Sequence, residues 1–269
     1  MWQRIRTAVV LVIIVGIALF ASQTPVLFAP LLTIGVTIAA HEWTKLMPKW
    51  RQPVVFVLMV LAITLASLML RVTWVLWWLA SLVIWLMALS WVIKFPTHTN
   101  WYGQRLALMG VVILTGSITA MFYLWQASPW WLMYVFLMVW CADSGAYFVG
   151  RKIGRVKMAP NVSPNKSMEG LAGGLVTGLV VVIAISFFKL HLTGIALVAF
   201  VALSALTILV SVLGDLFESM LKRRAKVKDS GTILPGHGGI LDRIDSLLSA
   251  TPIFALGFWG LQQIGWLVV

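Results

Sequence analysis

Between Ser219 and Asp245 the chain gathers the residue types that handle phosphate and metal. A basic run carries Ser219, Lys222, Arg223, Arg224, Lys226, Lys228 and Asp229; a turn follows with Gly231, Pro235, Gly236, His237, Gly238 and Gly239; Asp242, Arg243 and Asp245 close it. Lysine and arginine hold phosphate charge. Glycines let backbone N–H groups come close to phosphate oxygens. Carboxylates suit a hard cation such as Mg²⁺. In that order these parts predict a site for a nucleotide and a metal. A dense basic run alone reads as a solvated or headgroup-binding surface; the glycines and paired aspartates beside it favour a site. His237, flanked by glycines, is a candidate phosphate donor.

Further acids fall nearby. Asp143 lies in Cys141-Ala142-Asp143-Ser144, inside an apolar run and about 10 Å from its end at helical rise. A carboxylate at that depth is costly unless paired or metal-bound, so it reads either as a structural ion pair or as a site residue facing the bundle interior. Asp215, Glu218 and Ser219 share one helical face, and Asp242 and Asp245 share another. Two helix ends bearing carboxylates can converge on one cation, or can simply be charged ends. The segment from Gly150 to Gly170 repeats the theme, with Arg151, Lys152, Arg155 and Lys157 before Lys166, Ser167 and Glu169. The last three stand where a helix starts, and helix N-termini favour anions.

The elements that must position these residues are membrane helices. The chain has 269 residues, 61% hydrophobic and 10% charged, with mean hydropathy +0.98. A soluble domain carries about 25% charged residues. The composition therefore predicts an all-α, polytopic integral membrane protein. Nine apolar runs approach spanning length, at 7–22, 24–40, 53–70, 72–93, 106–126, 128–150, 169–188, 193–217 and 247–268. The first two meet at Gln23-Thr24-Pro25 and read as a hairpin or as tilted spans; Pro30 predicts a kink in the second. Arg4 and Arg6 open the first run like a signal peptide, but no cleavage site closes it, so it is expected to stay as a helix. The expected organisation is an N-terminal set of about five spans (1–127) and a C-terminal catalytic region (128–269) with cytoplasmic loops 151–168 and 218–246.

With the N-terminus in the cytoplasm, only Arg71 and Lys189 among the lysines and arginines fall on the outer side. The positive-inside rule thus predicts a cytoplasmic N-terminus and an outer C-terminus. The formal charge of +12 is then a matter of topology and lipid headgroups, and no nucleic-acid partner is expected. All the acids, from Glu42 to Asp245, fall on the inner side too, so the chemistry is expected there. The single cysteine, Cys141, rules out an intrachain disulfide. Trp and Tyr near run ends read as interfacial belts.

At this point the residues resemble the signature of the phosphatidate cytidylyltransferase (CDP-diacylglycerol synthase) family. The resemblance rests on Ser219, Lys222, Arg223, Lys228, Asp229, Gly231, Pro235, His237, Gly238, Gly239, Asp242, Arg243 and Asp245 at the family's spacing. The segments 141–151 and 159–170 resemble its other shared stretches, with Met168 where many members have Trp. The resemblance implies transfer of CMP from CTP to phosphatidate, giving CDP-diacylglycerol and pyrophosphate, with Mg²⁺, at the cytoplasmic face of a bacterial inner membrane, and a homodimer. It implies that Asp215, Asp242 and Asp245 hold the metal, with Asp143 as a further catalytic carboxylate. Lys166, Ser167, Lys222, Arg223, Lys228, His237, Gly238, Gly239 and Arg243 would bind the phosphates of CTP or phosphatidate. The rival readings are a CTP-dependent polyprenol kinase, which would release CDP, a transporter, and a non-catalytic headgroup binder. A transporter would need polar residues across the bilayer, and the outer halves of the runs offer almost none.

Overall fold

In a bilayer no water reaches the backbone, so each apolar run must satisfy its own N–H and C=O groups, and a helix does so. The computed structural model describes residues 2–21, 24–47, 50–97, 103–234, 236 and 238–267. Among them are nine α-helices, α1 (Trp2–Phe20), α2 (Phe28–Lys45), α3 (Pro53–Met69), α4 (Trp74–Lys94), α5 (Gln104–Ala127), α6 (Pro129–Ile153), α7 (Met168–Ile185), α8 (Gly194–Ala225) and α9 (Leu241–Gln263). Six segments are long and apolar enough to cross a membrane: Arg71–Lys94, Gln104–Ala127, Pro129–Ile153, Met168–Leu190, Gly194–Ala225 and Leu241–Gln263. Val9–Phe20 and Pro53–Met69 are shorter apolar stretches. Valine, leucine and isoleucine side chains are exposed along most of these helices, as a lipid-facing surface requires. This is an all-α polytopic membrane protein.

Three local features depart from the expected layout. The 218–246 loop is shorter than expected, because α8 continues through Glu218, Lys222 and Arg224, and α9 begins at Leu241. Buried Phe217, Met220 and Leu221 give those extra turns of α8 a packed face, and its basic last turn suits a helix C-terminus. The 151–168 loop contains an antiparallel hairpin, β1 (Lys157–Ala159) and β2 (Ser163–Ser167). Pro30 does not kink a span; it sits in the first turn of α2, where a missing N–H costs nothing.

The core is built around α5, buried over most of its length and packed against α2, α3, α4, α6 and α9. Its hydroxyls satisfy polar groups that lipid cannot. Thr115 and Thr64 of α3 hydrogen-bond through their Oγ1 atoms at 3.0 Å. Pro252 lies inside α9 and has no N–H for the carbonyl of Leu248. Ser117 Oγ lies 2.7 Å from that oxygen, sharing its proton between it and Ile113 O.

Two close seams position the site. On α7, Gly170, Gly174 and Gly178 recur every fourth residue against α6; a Cβ at Gly170 or Gly174 would run into the carbonyls of Ala146 or Ala142. Small residues at that spacing let membrane helices approach closely. The seam fixes Asp143 of α6 beside the hairpin that leads into α7. Between α8 and α9, a Cβ at Gly214 would meet Asp245 O and Ser249, and Ser249 Oγ donates to Val210 O at 2.8 Å. That seam sets Asp215 alongside Asp245.

Candidate active site

Lys166 is delivered by the hairpin. Its strand β2 pairs with β1 and ends at Ser167, whose Oγ accepts from Gly170 N at 3.1 Å as the N-cap of α7. The carboxylate of Glu169 accepts from Arg155 N at 3.0 Å and Val156 N at 3.2 Å and ties down the hairpin's base. Lys166 Nζ then reaches Asp215 Oδ2 on α8 at 2.5 Å. Ser219, one turn along, donates to Asp215 Oδ1 at 3.3 Å. Asp143 neighbours both Lys166 and Asp215.

A second group lies one turn further along α8. Lys222 Nζ donates to Glu218 Oε2 at 2.9 Å and to Asp242 Oδ1 at 2.7 Å, linking α8 to the start of α9. Asp242 Oδ2 accepts from Ser230 N (2.9 Å), Ser230 Oγ (2.9 Å) and Gly239 N (2.8 Å). Asp245 faces Asp215 and Glu218. Glu218 Oε1 is buried without a hydrogen-bond donor among the described residues. Facing acids of this kind require a shared proton or a cation.

The turn between the helices is held from the other half of the chain. Glu42, near the end of α2 and 1% exposed, accepts from Ile240 N at 3.1 Å, Leu241 N at 2.7 Å and Ser230 Oγ at 3.4 Å. A Cβ at Gly231 or Gly239 would collide with its carboxylate. Gly238, at φ +80°, closes the turn with its carbonyl accepting from Leu234 N at 2.9 Å. Sequence reasoning passed over Glu42. The one available signal was an isolated acid at the end of an apolar run, far from any other.

The structure thus brings together Asp143, Lys166, Asp215, Lys222, Asp242 and Asp245, from α6, the hairpin, α8 and α9. Ser167 does not join them: it is 3% exposed and occupied as a cap. Arg223, Lys228 and Arg243 are exposed, and Arg223 Nε donates to Val162 O on the hairpin at 3.3 Å. Arg223, Lys226, Val227 and Lys228 line an open basic cleft of about 380 Å³. His237 and Pro235 lie outside the described residues.

The carboxylate oxygens of this cluster match a magnesium ion in kind, and Glu218 Oε1 lacks a donor beside Asp245. Among the described residues no three His, Cys, Asp or Glu side chains converge to hold a metal alone. Magnesium commonly uses one or two carboxylates together with substrate phosphates and water, so two such ligands suffice. Asp242 would ligate through Oδ1 by exchanging Lys222 for the ion, since Oδ2 already has three donors.

Comparison with known proteins places the chain. A family model described as the cytidylyltransferase family matches residues 2–259. The chain belongs to that cytidylyltransferase family. A phosphatidate cytidylyltransferase of Haemophilus influenzae is 37% identical over 291 residues, covering 94% of this chain and 96% of the relative. One of Pseudomonas aeruginosa is 38% identical, covering 98% of each. One of Bacillus subtilis is 48% identical over 125 residues, 45% of each chain. The region matched to the cytidylyltransferase family includes Glu42 as well as the α8–α9 turn.

Proposed function

We propose that this protein transfers CMP from CTP to phosphatidate, leaving CDP-diacylglycerol in the membrane and releasing pyrophosphate, for phospholipid synthesis. The observation that carries the reading is the cluster of Lys166, Asp215, Lys222, Asp242 and Asp245 beside an exposed basic cleft, in a member of the cytidylyltransferase family. A phosphate oxygen of phosphatidate attacks the α-phosphorus of CTP, and the bond from that phosphorus to the oxygen bridging towards the β-phosphate breaks. Phosphatidate is already anionic at neutral pH, so the nucleophile needs no strong base. What it needs is a way to meet a second anion.

Arg223, Lys228 and Arg243, all exposed, are placed to gather the triphosphate from solution. Lys166, held on a short hairpin by Asp215, receives the lipid phosphate. Before the ion binds, Lys222 bridges α8 and the start of α9 through Glu218 and Asp242. Asp215, Asp242 and Asp245 are the candidate ligands of Mg²⁺, which would take one or two of them together with phosphate oxygens, screening phosphate charge and stabilising the departing pyrophosphate.

The site is proposed to face the cytoplasm of a bacterial inner membrane, with all nine helices crossing and the N-terminus inside. Supporting this, that orientation leaves only Arg71 and Lys189 outside. A homodimer follows from the resemblance and is checked by the mass of the detergent-solubilised particle. The reaction is tested with purified protein, phosphatidate and Mg²⁺, using CTP labelled on either its α- or its γ-phosphate. The α-label is expected in the lipid and the γ-label in pyrophosphate. Lipid carrying the γ-label instead would make the protein a lipid kinase and overturn the proposal.

A further inference from the structure

Two carboxylates from opposite halves of the chain meet across one hydroxyl. Ser230 is fully buried, and its Oγ lies 2.9 Å from Asp242 Oδ2 and 3.4 Å from Glu42 Oε2, so one proton serves both. Helix α9 has no side-chain cap of its own. Ile240 stands at the N-cap position, and Asp242 is turned back onto Ser230 N and Gly239 N. Glu42 fills the place from α2 by accepting from Ile240 N and Leu241 N, and the positive end of α9 suits its charge. Its own helix is fixed in turn. Trp43 Nε1 donates to Leu106 O on α5 at 3.2 Å, and its indole fills the space that a Cβ at Gly110 would take. A Cβ at Gly231 or Gly239 would strike Glu42, and one at Gly238 would press on Asp242 Oδ2. The turn is thus shaped around both carboxylates.

The donors of the turn fall on one oxygen of Asp242. Ser230 N, Ser230 Oγ and Gly239 N all reach Oδ2, while Oδ1 faces Lys222 Nζ on α8. We propose that Glu42 and Ser230 are positioning residues for Asp242. By fixing the start of α9 and Oδ2 within the turn, they leave Oδ1 as the oxygen offered to a divalent cation. The inference rests on the reading given under Proposed function. It adds two residues that lie outside the pattern on which the family resemblance was drawn. A carboxylate already held in its binding orientation need not be ordered when the cation arrives. Losing such an outer partner typically costs about 10–100-fold in metal affinity.

Ser230→Ala keeps the main-chain N–H and deletes only the shared hydroxyl; Glu42→Gln keeps the size of the side chain and removes one acceptor. Both are compared with wild type as full-length protein in detergent. Binding of Mn²⁺, standing in for Mg²⁺, is read by equilibrium dialysis with CTP present and lipid left out, so that no turnover occurs. Each variant is expected to hold Mn²⁺ about tenfold more weakly. The Mg²⁺ concentration for half-maximal transfer is expected to rise in step, with the KM for phosphatidate unchanged. Residues that served folding alone would lower kcat, through fewer folded molecules, and leave both metal constants where they were. That result would overturn the proposal, as would wild-type protein that holds no Mn²⁺. Should Glu42→Gln not be recovered folded, Ser230→Ala, which loses a single oxygen, decides alone. Wild-type protein that holds Mn²⁺ but forms no CMP-linked lipid would remove the proposed reaction, whereas the dialysis would still report on Asp242.

Discussion

Asp242 accepts from Lys222 Nζ, Ser230 N and Gly239 N, Glu42 accepts from Ile240 N and Leu241 N, and the Ser230 hydroxyl shares its one proton between them, so two carboxylates hold the turn from α8 to α9. Asp242→Asn replaces one acceptor by an NH₂ group, which must face either Lys222 or the Ser230 and Gly239 donors. Turnover is expected to fall more than a hundredfold with membrane insertion intact; retained activity would remove Asp242 from the metal site. Glu42→Ala leaves the N–H groups of half-buried Ile240 and buried Leu241 without that acceptor, at about 1–3 kcal/mol for the buried one and less for the other. Its melting temperature in detergent is expected to drop clearly, with Glu42→Gln intermediate because one carbonyl oxygen remains. An unchanged melting temperature in the alanine variant would dismiss the clamp. The aspartates were legible from sequence because they lie at helical spacing beside basic residues. The role of Glu42 was not, since its partners stand up to 199 residues away and no local periodicity points to them.

Helix packing carries the next layer. The α6–α7 seam tolerates no side chain at Gly174, where a Cβ would overlap the Ala142 carbonyl. Gly174→Leu is therefore expected to part the two helices, draw the hairpin and Lys166 away from Asp143 and Asp215, and abolish transfer. Activity comparable to wild type would show that the seam does not set the site. Ser117→Ala removes the hydroxyl beside the Leu248 carbonyl, with an expected loss of about 1 kcal/mol, read as a lower unfolding midpoint; no shift would mean that the carbonyl is satisfied otherwise. Both seams depend on glycines whose neighbours are carbonyls of another helix. Sequence marks such glycines but not what they approach. The hairpin escaped for a related reason: its strands are too short to display alternation, and basic residues disguise them as a positive-inside loop.

For the molecule as a whole, composition and charge placement were enough to give class and approximate spans, because both follow from the solvent. Side assignment has a direct test. With Cys141 replaced by serine, a single cysteine placed at Lys228 is expected to react with an impermeant maleimide only when the reagent reaches the cytoplasmic side, and one placed at Leu192 only from outside. The reverse pattern would invert the orientation. What composition could not give was the overlong α8. Its 32 residues extend about 48 Å, while the hydrocarbon layer is about 30 Å thick.

In the orientation proposed above, the surplus length of α8 would lift Glu218, Lys222 and Arg223 to the plane of the phospholipid phosphates. A lipid reacting there need not be extracted from its leaflet, and the product can leave by sideways diffusion. Rates should then track how crowded the surface is with reactant, its mole fraction among neighbouring amphiphiles. Diluting the micelles with inert detergent would slow the enzyme even though every bulk concentration of nucleotide and lipid stayed the same.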